Sequence, residues 1–443
     1  MLNRRFDREI LALALPALGT LAADPLVTLV DTAFVGRLGR EALAALGVNA
    51  AVFSTSFFLF IFLAYGTTPM VGRAIGRGDP DAAGRLVTQA FFLAAAVGLV
   101  VFSVLELFAL PLLTLMGASE SVLGPATTYL RIRALAAPAV LFITAGNGVF
   151  RGFQDTRTPF AIALSVSLLN LILDPLLIFG FGWGLAGAAW ATVASQWLGA
   201  VGFVVLLLVV QRERYRVPLV VPGFRELAPL LRVGWELAVR TLSLLLVTTF
   251  ATAVAARVGV VEVAAHQVAF GLWLFMALTV DALAVAAQAL VARYVGEGKP
   301  MCARAVSDRL LLLGFVVGLA LLVGFYLFEG VLPGLFTDDP EVIWTLRRVY
   351  PLVVLLQPLT AVVFVFDGIF MGMEAFAFLA RAMAISAAVA GAVLALVLPL
   401  GWGLVGVWWG MVTLIVMRFL TLGWWYWGRG KRFAVVNGDR AAH

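Results

Sequence analysis

The sequence predicts an all-α membrane protein with twelve transmembrane helices arranged as two similar, parallel six-helix bundles. Of its 443 residues, 63% are hydrophobic and only 13% are charged, whereas soluble domains average about 25% charged residues. Apolar runs of about 20 residues, which are long enough to cross a bilayer, recur along the whole chain. Characteristic arginine, proline and glycine residues of the first half also recur in the second half at a nearly constant spacing.

Twelve apolar runs predict the twelve spans. They lie at 10–36, 43–71, 86–116, 122–150, 158–180, 185–210, 230–257, 263–292, 308–333, 341–372, 376–399 and 404–427. The first run is too long for a signal peptide and lacks a small-residue cleavage site, so we expect it to remain in the protein. Cys302 is the only cysteine, so no intramolecular disulfide is expected.

The distribution of basic residues predicts the orientation in the membrane. Arginine and lysine concentrate on alternate connections, beginning with the segment before the first span, and cytoplasmic loops carry an excess of these residues. We therefore predict a multi-pass protein of the plasma or inner membrane with both termini in the cytoplasm. The net charge of +6 then reflects membrane topology, and no nucleic-acid partner is expected. Four arginines lie inside predicted spans, where their side chains could extend to the outer interface: Arg131, Arg133, Arg347 and Arg348.

An internal duplication predicts the domain organisation. Pairs of identical residues separated by 220 positions include Arg73 with Arg293, Pro138 with Pro358, and Gly148 with Gly368. Because each half has an even number of spans, both halves should enter the membrane in the same direction. We predict an N-terminal lobe at 1–210, a basic cytoplasmic linker at 211–229, a C-terminal lobe at 230–427 and a cytoplasmic tail at 428–443.

The two halves differ in their intramembrane acids. Asp31 corresponds to Ala251 in the second half, and Asp174 corresponds to Leu394 or its neighbour. An Asp at bilayer depth costs about 2.5–3.5 kcal/mol, so such residues are usually functional. We therefore expect the first lobe to handle the coupling ion. The alternative for Asp31 is that it lies at the end of its helix.

Span five places Asn170 and Asp174 four residues apart, on one helical face. Together with Asp31 they would offer carboxylate and amide oxygens, which are hard ligands suited to H⁺ or Na⁺. Thr192 and Tyr129 could add hydroxyl groups. The alternative for Asn170 is a structural hydrogen bond between helices. Apart from a possible Na⁺ at these residues, no metal site is expected.

Three further acids are candidates for a substrate cavity: Asp24, Asp281 and Asp367. Each could pair with a cationic substrate, although Asp24 and Asp367 could equally be solvated residues near a span boundary. Pro16 interrupts the first span and predicts a bend, because proline removes a backbone donor. The sequence contains no phosphate-binding G-x-x-x-x-G-K-[ST] motif, so we expect no enzyme activity, no cofactor and an ion gradient as the energy source.

Several stretches together resemble the multidrug and toxic compound extrusion (MATE) family, and its DinF-type branch in particular. They are PLVTLVDTAFVGRLG at 25–39, GVFRGFQDTRTP at 148–159, LNLILDP at 169–175 and AAHQV at 264–268. The resemblance implies a monomeric, cation-coupled antiporter that exports small organic compounds, often cationic and amphipathic, through a V-shaped cavity between the lobes.

The resemblance also implies roles for individual residues. The cation site of the branch matches Asp31, Asn170, Asp174 and Thr192. Its bending proline matches Pro16, and a network tyrosine matches Tyr129.

Two alternatives of related architecture remain open at this stage. The stretch 148–159 is also similar to plant exporters of citrate and related organic anions. A lipid flippase would need an arginine-lined cavity, for which Arg131, Arg133 and Arg240 are the candidates.

Overall fold

The computed structural model describes residues 2–428, and most of the predicted tail at 428–443 lies outside this range. Sixteen α-helices and no strand occur in the described part. They are α1 Leu2–Gly36, α2 Arg40–Phe58, α3 Phe62–Gly76, α4 Pro80–Leu107, α5 Ala109–Leu115, α6 Glu120–Ala134, α7 Ala137–Gly152, α8 Arg157–Pro175, α9 Gly184–Val205, α10 Phe224–Val258, α11 Val260–Gly296, α12 Pro300–Leu327, α13 Pro340–Leu355, α14 Gln357–Gly372, α15 Phe376–Val397 and α16 Gly403–Gly428. Short 3₁₀ or π turns follow or join some of them, at Leu59–Ile61, Leu176–Gly180, Leu206–Val210 and Pro333–Leu335.

Within the described part, ten helical segments are long and apolar enough to cross a membrane. Two helix pairs also qualify when each pair is taken as one bent span: α6 with α7, at 48°, and α13 with α14, at 50°. The total of twelve and the all-α fold class confirm the prediction. The predicted spans at 122–150 and 341–372 are the two bent pairs, and the sequence analysis did not predict the bend within them. Pro138 and Pro358 stand near the start of the second helix of each pair, and a proline cannot donate to the preceding turn.

The chain forms two compact units, and their limits differ from the predicted lobes. One unit is Leu15–Gly234, and the other combines 1–14 with 235–443 as far as these residues are described. Helix α10 begins at Phe224, within the predicted linker at 211–229.

The first turns of α1 belong to the second unit and form ion pairs with it. Asp7 accepts hydrogen bonds of 2.6 and 2.8 Å from Arg309. Glu9 accepts bonds of 2.8 Å from both Arg293 and Tyr294. Helix α1 therefore begins in one unit and contributes its remaining residues, from Leu15 onward, to the other.

The internal duplication extends to helix packing. Helix α7 packs on α3 and α4 in the first unit, as α14 packs on α11 and α12 in the second. A Cβ on Gly98 would lie 2.6 Å from the Cα of Pro138, and a Cβ on Gly318 would lie 2.6 Å from the Cα of Pro358. Small residues permit this close approach of helices in membrane proteins. Both halves thus use glycine at the same repeat position for the same contact.

Candidate functional site

Asp31 on α1 and Asp174 on α8 come together inside the unit formed by 15–234. Asp174 is fully buried, and Asp31 is partly buried. Their carboxyl groups are close enough to interact electrostatically. The two acids that the sequence analysis singled out therefore form a pair, although 143 positions of chain separate residue 31 from residue 174.

Asn170 and Thr192 lie beside this pair. Asn170 is one turn before Asp174 on α8, and its amide Nδ2 donates to the hydroxyl of Thr192 on α9 over 3.4 Å. The Thr192 hydroxyl in turn donates to the carbonyl oxygen of Ala188 over 2.9 Å. These bonds do not involve the carbonyl oxygen of Asn170, which has no donor among the described residues.

Four buried oxygens at this place have no hydrogen-bond donor among the described residues. They are Asp31 Oδ1, Asn170 Oδ1, and both carboxylate oxygens of Asp174. Buried polar atoms are nearly always paired, because an unpaired buried acceptor costs about 1–3 kcal/mol. A set of acceptors without donors fits a proton or a small hard cation, which would supply the missing positive partner.

Arg133 also belongs to this site, although the sequence analysis named it only as a candidate for the cavity of a flippase. Its guanidinium interacts electrostatically with Asp31 and with Asp24. It also interacts with Tyr129, and its guanidinium carbon lies 5.0 Å from the ring centre of Phe53. The sequence signal was an arginine one helical turn after Tyr129, inside a predicted span. The site therefore contains a fixed positive charge among its acids.

Tyr129 is buried, and its hydroxyl lies within electrostatic range of Asp31 and Asp174. Asp24 is exposed, two turns before Asp31 on α1. Pro16 lies inside the continuous helix α1, where its carbonyl accepts a bond of 3.0 Å from the Thr20 hydroxyl. The predicted bend at Pro16 and the predicted role of Asp24 in substrate binding stay predictions.

The other two acidic candidates lie in the second unit. Asp281 is partly buried on α11, and its proposed contact with substrate remains a prediction. Asp367 on α14 is buried and accepts hydrogen bonds from Arg240 on α10 and Arg418 on α16. The alternative that Asp367 is a solvated helix end does not hold. Its charge is already matched by two arginines, which the sequence analysis did not connect with it.

Comparison with known proteins supports an assignment for this architecture. The MatE family model matches the chain twice, at residues 16–176 and 237–397. The two matches correspond to the two halves of the duplication and cover more than half of the chain.

Two relatives and one solved structure illustrate the similarity. The chain is 35% identical over 432 residues to Protein DETOXIFICATION 44, chloroplastic, of Arabidopsis thaliana, covering 95% of this chain and 82% of that protein. It is 30% identical over 354 residues to the FAD transporter of Shewanella oneidensis, covering 77% of each. The crystal structure of MATE in the bent conformation superposes with a TM-score of 0.88 at 25% identity, covering 99% of this chain and 98% of that one.

The apolar spans of the duplicated helical fold and these similarities define a multi-pass membrane transporter and not an enzyme. The chain belongs to the multidrug and toxic compound extrusion (MATE) family.

Proposed function

We propose that this chain is a secondary antiporter that exports a small organic compound in exchange for H⁺ or Na⁺. The observation that carries the proposal is the group of buried oxygens without donors at Asp31, Asn170 and Asp174. Two carboxylates that interact in a buried site repel each other when both are charged. Binding of one cation relieves this repulsion, so the site has two stable forms with different charge.

Coupling follows if the cation and the substrate favour different states of the protein, since a ligand that binds both states equally shifts nothing. Asp31 lies on α1, which also contains Pro16. We propose that neutralising Asp31 changes the bend of α1 at Pro16 and thereby favours release of the substrate. The Arg133 guanidinium partly offsets the negative charge of Asp31 when no cation is bound.

Two substrate classes are supported by particular residues. An organic cation is favoured by the MATE resemblance and would find the exposed carboxylate of Asp24. An organic anion is favoured by the similarity of 148–159 to plant exporters of organic anions, and the carboxylate of Asp367, which accepts hydrogen bonds from two arginines, is not free to bind a cation. The relative named as an FAD transporter has a substrate with two phosphate groups, which also fits an anion. The flippase alternative gains nothing from Arg131, because its largely exposed side chain pairs with Glu106 over 3.7 Å.

We further propose that the protein acts as a monomer in the plasma or inner membrane, with both termini in the cytoplasm. The support for the orientation is the concentration of arginine and lysine on alternate connections, as expected for cytoplasmic loops.

The test is transport by the purified protein reconstituted in vesicles, with an imposed pH or Na⁺ gradient and ethidium or citrate as the probe. Asp31→Asn and Asp174→Asn should each lower gradient-driven export at least about tenfold, because an amide can neither take up a proton nor carry the charge that attracts Na⁺. Both variants should insert and fold, since each replacement is nearly isosteric.

Asp338→Asn is the matched control, because Asp338 is exposed in the connection before α13. This variant should transport normally. Normal gradient-driven export by Asp31→Asn and Asp174→Asn would show that the pair is not the coupling site. Substrate flux that does not saturate with substrate concentration and does not depend on the imposed ion gradient would instead indicate a channel.

A further inference from the structure

A cavity of about 250 Å³ lies in the first unit, between the start of α4 and the segment 211–223 that precedes α10. On α4 it is lined by side chains about one helical turn apart, which share one face of the helix: Asp81, Arg85, Thr88 and Gln89. The opposite wall comes from the segment before α10 and from the first turn of that helix: Arg216, Pro218, Val220, Pro222 and Glu226. We call this space the linker cavity. Its volume suits a small polar group, since sites for drug-sized molecules measure about 300–1,000 Å³.

The segment before α10 is held against α4, so the linker cavity is already formed. A Cβ on Gly84 would lie 2.2 Å from the carbonyl oxygen of Tyr215, and the contact therefore requires glycine on α4. The Thr88 hydroxyl donates to the carbonyl oxygen of Pro218 over 2.7 Å. The Tyr215 ring also stacks on Phe153, with 3.7 Å between the ring centres. A ligand would therefore not have to order this segment when it binds.

Charged groups of both signs line the linker cavity. The Asp81 carboxylate pairs with Arg216 over 2.9 Å. Arg85 is exposed and makes no hydrogen bond or ion pair with the described residues. The Glu226 carboxylate accepts a hydrogen bond of 2.8 Å from the backbone N–H of Gly223 and has no ion-pair partner among the described residues. One guanidinium and one carboxylate are thus open to a ligand, and a ligand with both a negative and a positive group matches them.

The surroundings of the linker cavity indicate a lipid. The cavity lies on the first turns of α4, at one end of a helix that is long and apolar enough to cross a membrane. Leu219, Val220 and Val221 of the neighbouring segment are 60–73% exposed. Polar pockets at the ends of membrane spans are typical binding places for lipid headgroups. The apolar side chains beside the cavity would then contact the lipid outside it.

The fold itself does not require the charges on α4. The spacing of 220 residues places Met301 at the position of Asp81 and Ala305 at that of Arg85. The second unit thus builds the equivalent helix, α12, without either charge. Charges present in one repeat only are better explained by a function than by the needs of folding.

We propose that the linker cavity binds the headgroup of a zwitterionic phospholipid with a primary ammonium group, the chemistry of phosphatidylethanolamine. The Arg85 guanidinium binds the phosphate, because its N–H donors match an oxyanion. The Glu226 carboxylate accepts hydrogen bonds from the ammonium group. Asp81 and Arg216 neutralise each other and form the wall between them. This site is separate from the acid pair and does not depend on the proposed antiport.

The experiment is a lipid titration of the purified full-length protein in detergent, followed by native mass spectrometry. Three dimyristoyl lipids serve as probes: phosphatidylethanolamine, phosphatidylcholine and phosphatidylglycerol. The first phosphatidylethanolamine should bind at least about fivefold more tightly than either of the others, because choline has no N–H donor and glycerol has no positive charge. Equal affinities would overturn the proposal. Tighter binding of phosphatidylglycerol would replace the zwitterionic site by a site for anionic lipid, and would equally overturn it.

Charge variants assign the preference to the linker cavity. Arg85→Gln and Glu226→Gln should each weaken binding of the first phosphatidylethanolamine at least about fivefold. Arg225→Gln is the matched control, because Arg225 is exposed beside Glu226 but does not line the cavity; its replacement should not change the affinity. All three variants should unfold at the wild-type temperature without lipid, since they replace exposed side chains. An unchanged lipid preference in Arg85→Gln and Glu226→Gln would refute the site.

A soluble headgroup distinguishes a lipid from a water-soluble ligand of the same chemistry. Glycerophosphoethanolamine carries the same phosphate and ammonium groups without acyl chains. At a tenfold excess it should leave lipid binding unchanged, because it lacks the chains that contact the apolar side chains beside the cavity. Full displacement of the lipid would overturn the lipid assignment. Asp31→Asn should bind phosphatidylethanolamine as the wild type does, so a failure of the proposed antiport and a failure of the lipid site are observed separately.

Discussion

Gly368 of α14 packs against the backbone of Ala284 of α11 so closely that a Cβ on Gly368 would lie 2.3 Å from the Ala284 carbonyl oxygen. The same relationship occurs 220 positions earlier, where a Cβ on Gly148 would lie 2.9 Å from the Cα and carbonyl oxygen of Ala64. The duplication therefore preserves individual contacts between helices. The central helix pair of each unit depends on a glycine at this position.

Gly368→Ala should lower stability by about 1–3 kcal/mol, because the two helices must move apart to admit the methyl group. The measurement is the thermal unfolding temperature of the purified protein. Gly391→Ala on α15 is the matched control, since a Cβ there meets nothing within 4 Å. It should be neutral or slightly stabilising, because alanine favours helix over glycine by about 1 kcal/mol. Equal unfolding temperatures of the two variants would show that the α11–α14 contact can relax freely.

Arg133→Gln should increase the apparent affinity of the cation site. The guanidinium competes electrostatically with the coupling cation for Asp31, so its removal should lower the cation concentration for half-maximal transport by about three- to tenfold. The measurement is the dependence of transport on pH and on Na⁺ in reconstituted vesicles. Maximal transport should also fall, because a cation held more tightly is released more slowly.

Arg131→Gln on the same helix is the control for this prediction. Arg131 is two residues from Arg133 but has a largely exposed side chain and pairs with Glu106 over 3.7 Å. Its replacement should leave the cation dependence unchanged. If Arg133→Gln behaves as Arg131→Gln does, the guanidinium has no influence on cation binding.

The spans and the duplication could be predicted because each rests on a strong local signal. Apolar runs long enough to cross a bilayer are unmistakable, and the spacing of 220 residues holds from Arg73 to Gly148. The breaks before α7 and α14 left a weaker signal. Pro138 and Pro358 were recognised as repeat landmarks, but a proline in a membrane span either bends or breaks the helix, and the sequence does not distinguish the two.

The site was only partly predictable for a different reason. Asn170 and Asp174 share one face of one helix, so their spacing reveals that they act together. The bonds of Asp367 to Arg418 and to Arg240 connect residues 51 and 127 positions apart. No local pattern encodes such contacts, because they depend on how three separate helices pack. For Asp367 the sequence indicated only an intramembrane acid, and a cationic substrate was the simplest partner to expect.

Glu9→Gln should loosen the first turns of α1. The Glu9 carboxylate accepts bonds from Arg293 and Tyr294, and loss of these partly buried charge-assisted bonds should cost about 1 kcal/mol. Amide hydrogen exchange of residues 5–14 should then accelerate about fivefold. Glu297→Gln is the control, because Glu297 also pairs with Arg293, over 3.4 Å, but lies at the end of α11. Unchanged exchange in Glu9→Gln would show that apolar packing alone anchors the segment.

Thr192→Val should distinguish the two coupling ions. A proton needs only one carboxylate oxygen, whereas Na⁺ needs several oxygen ligands, as hard cations generally do. The Thr192 hydroxyl lies 3.4 Å from Nδ2 of Asn170 and can provide one of them. Its loss should weaken activation by Na⁺ at least about fivefold, while export driven by a pH gradient should stay within about twofold of the wild type. Thr144→Val is the control, because its hydroxyl donates to the carbonyl of Val140 over 2.8 Å within α7. If Thr192→Val weakens export under both gradients equally, the hydroxyl positions Asn170 and Asp174 instead of contacting the ion.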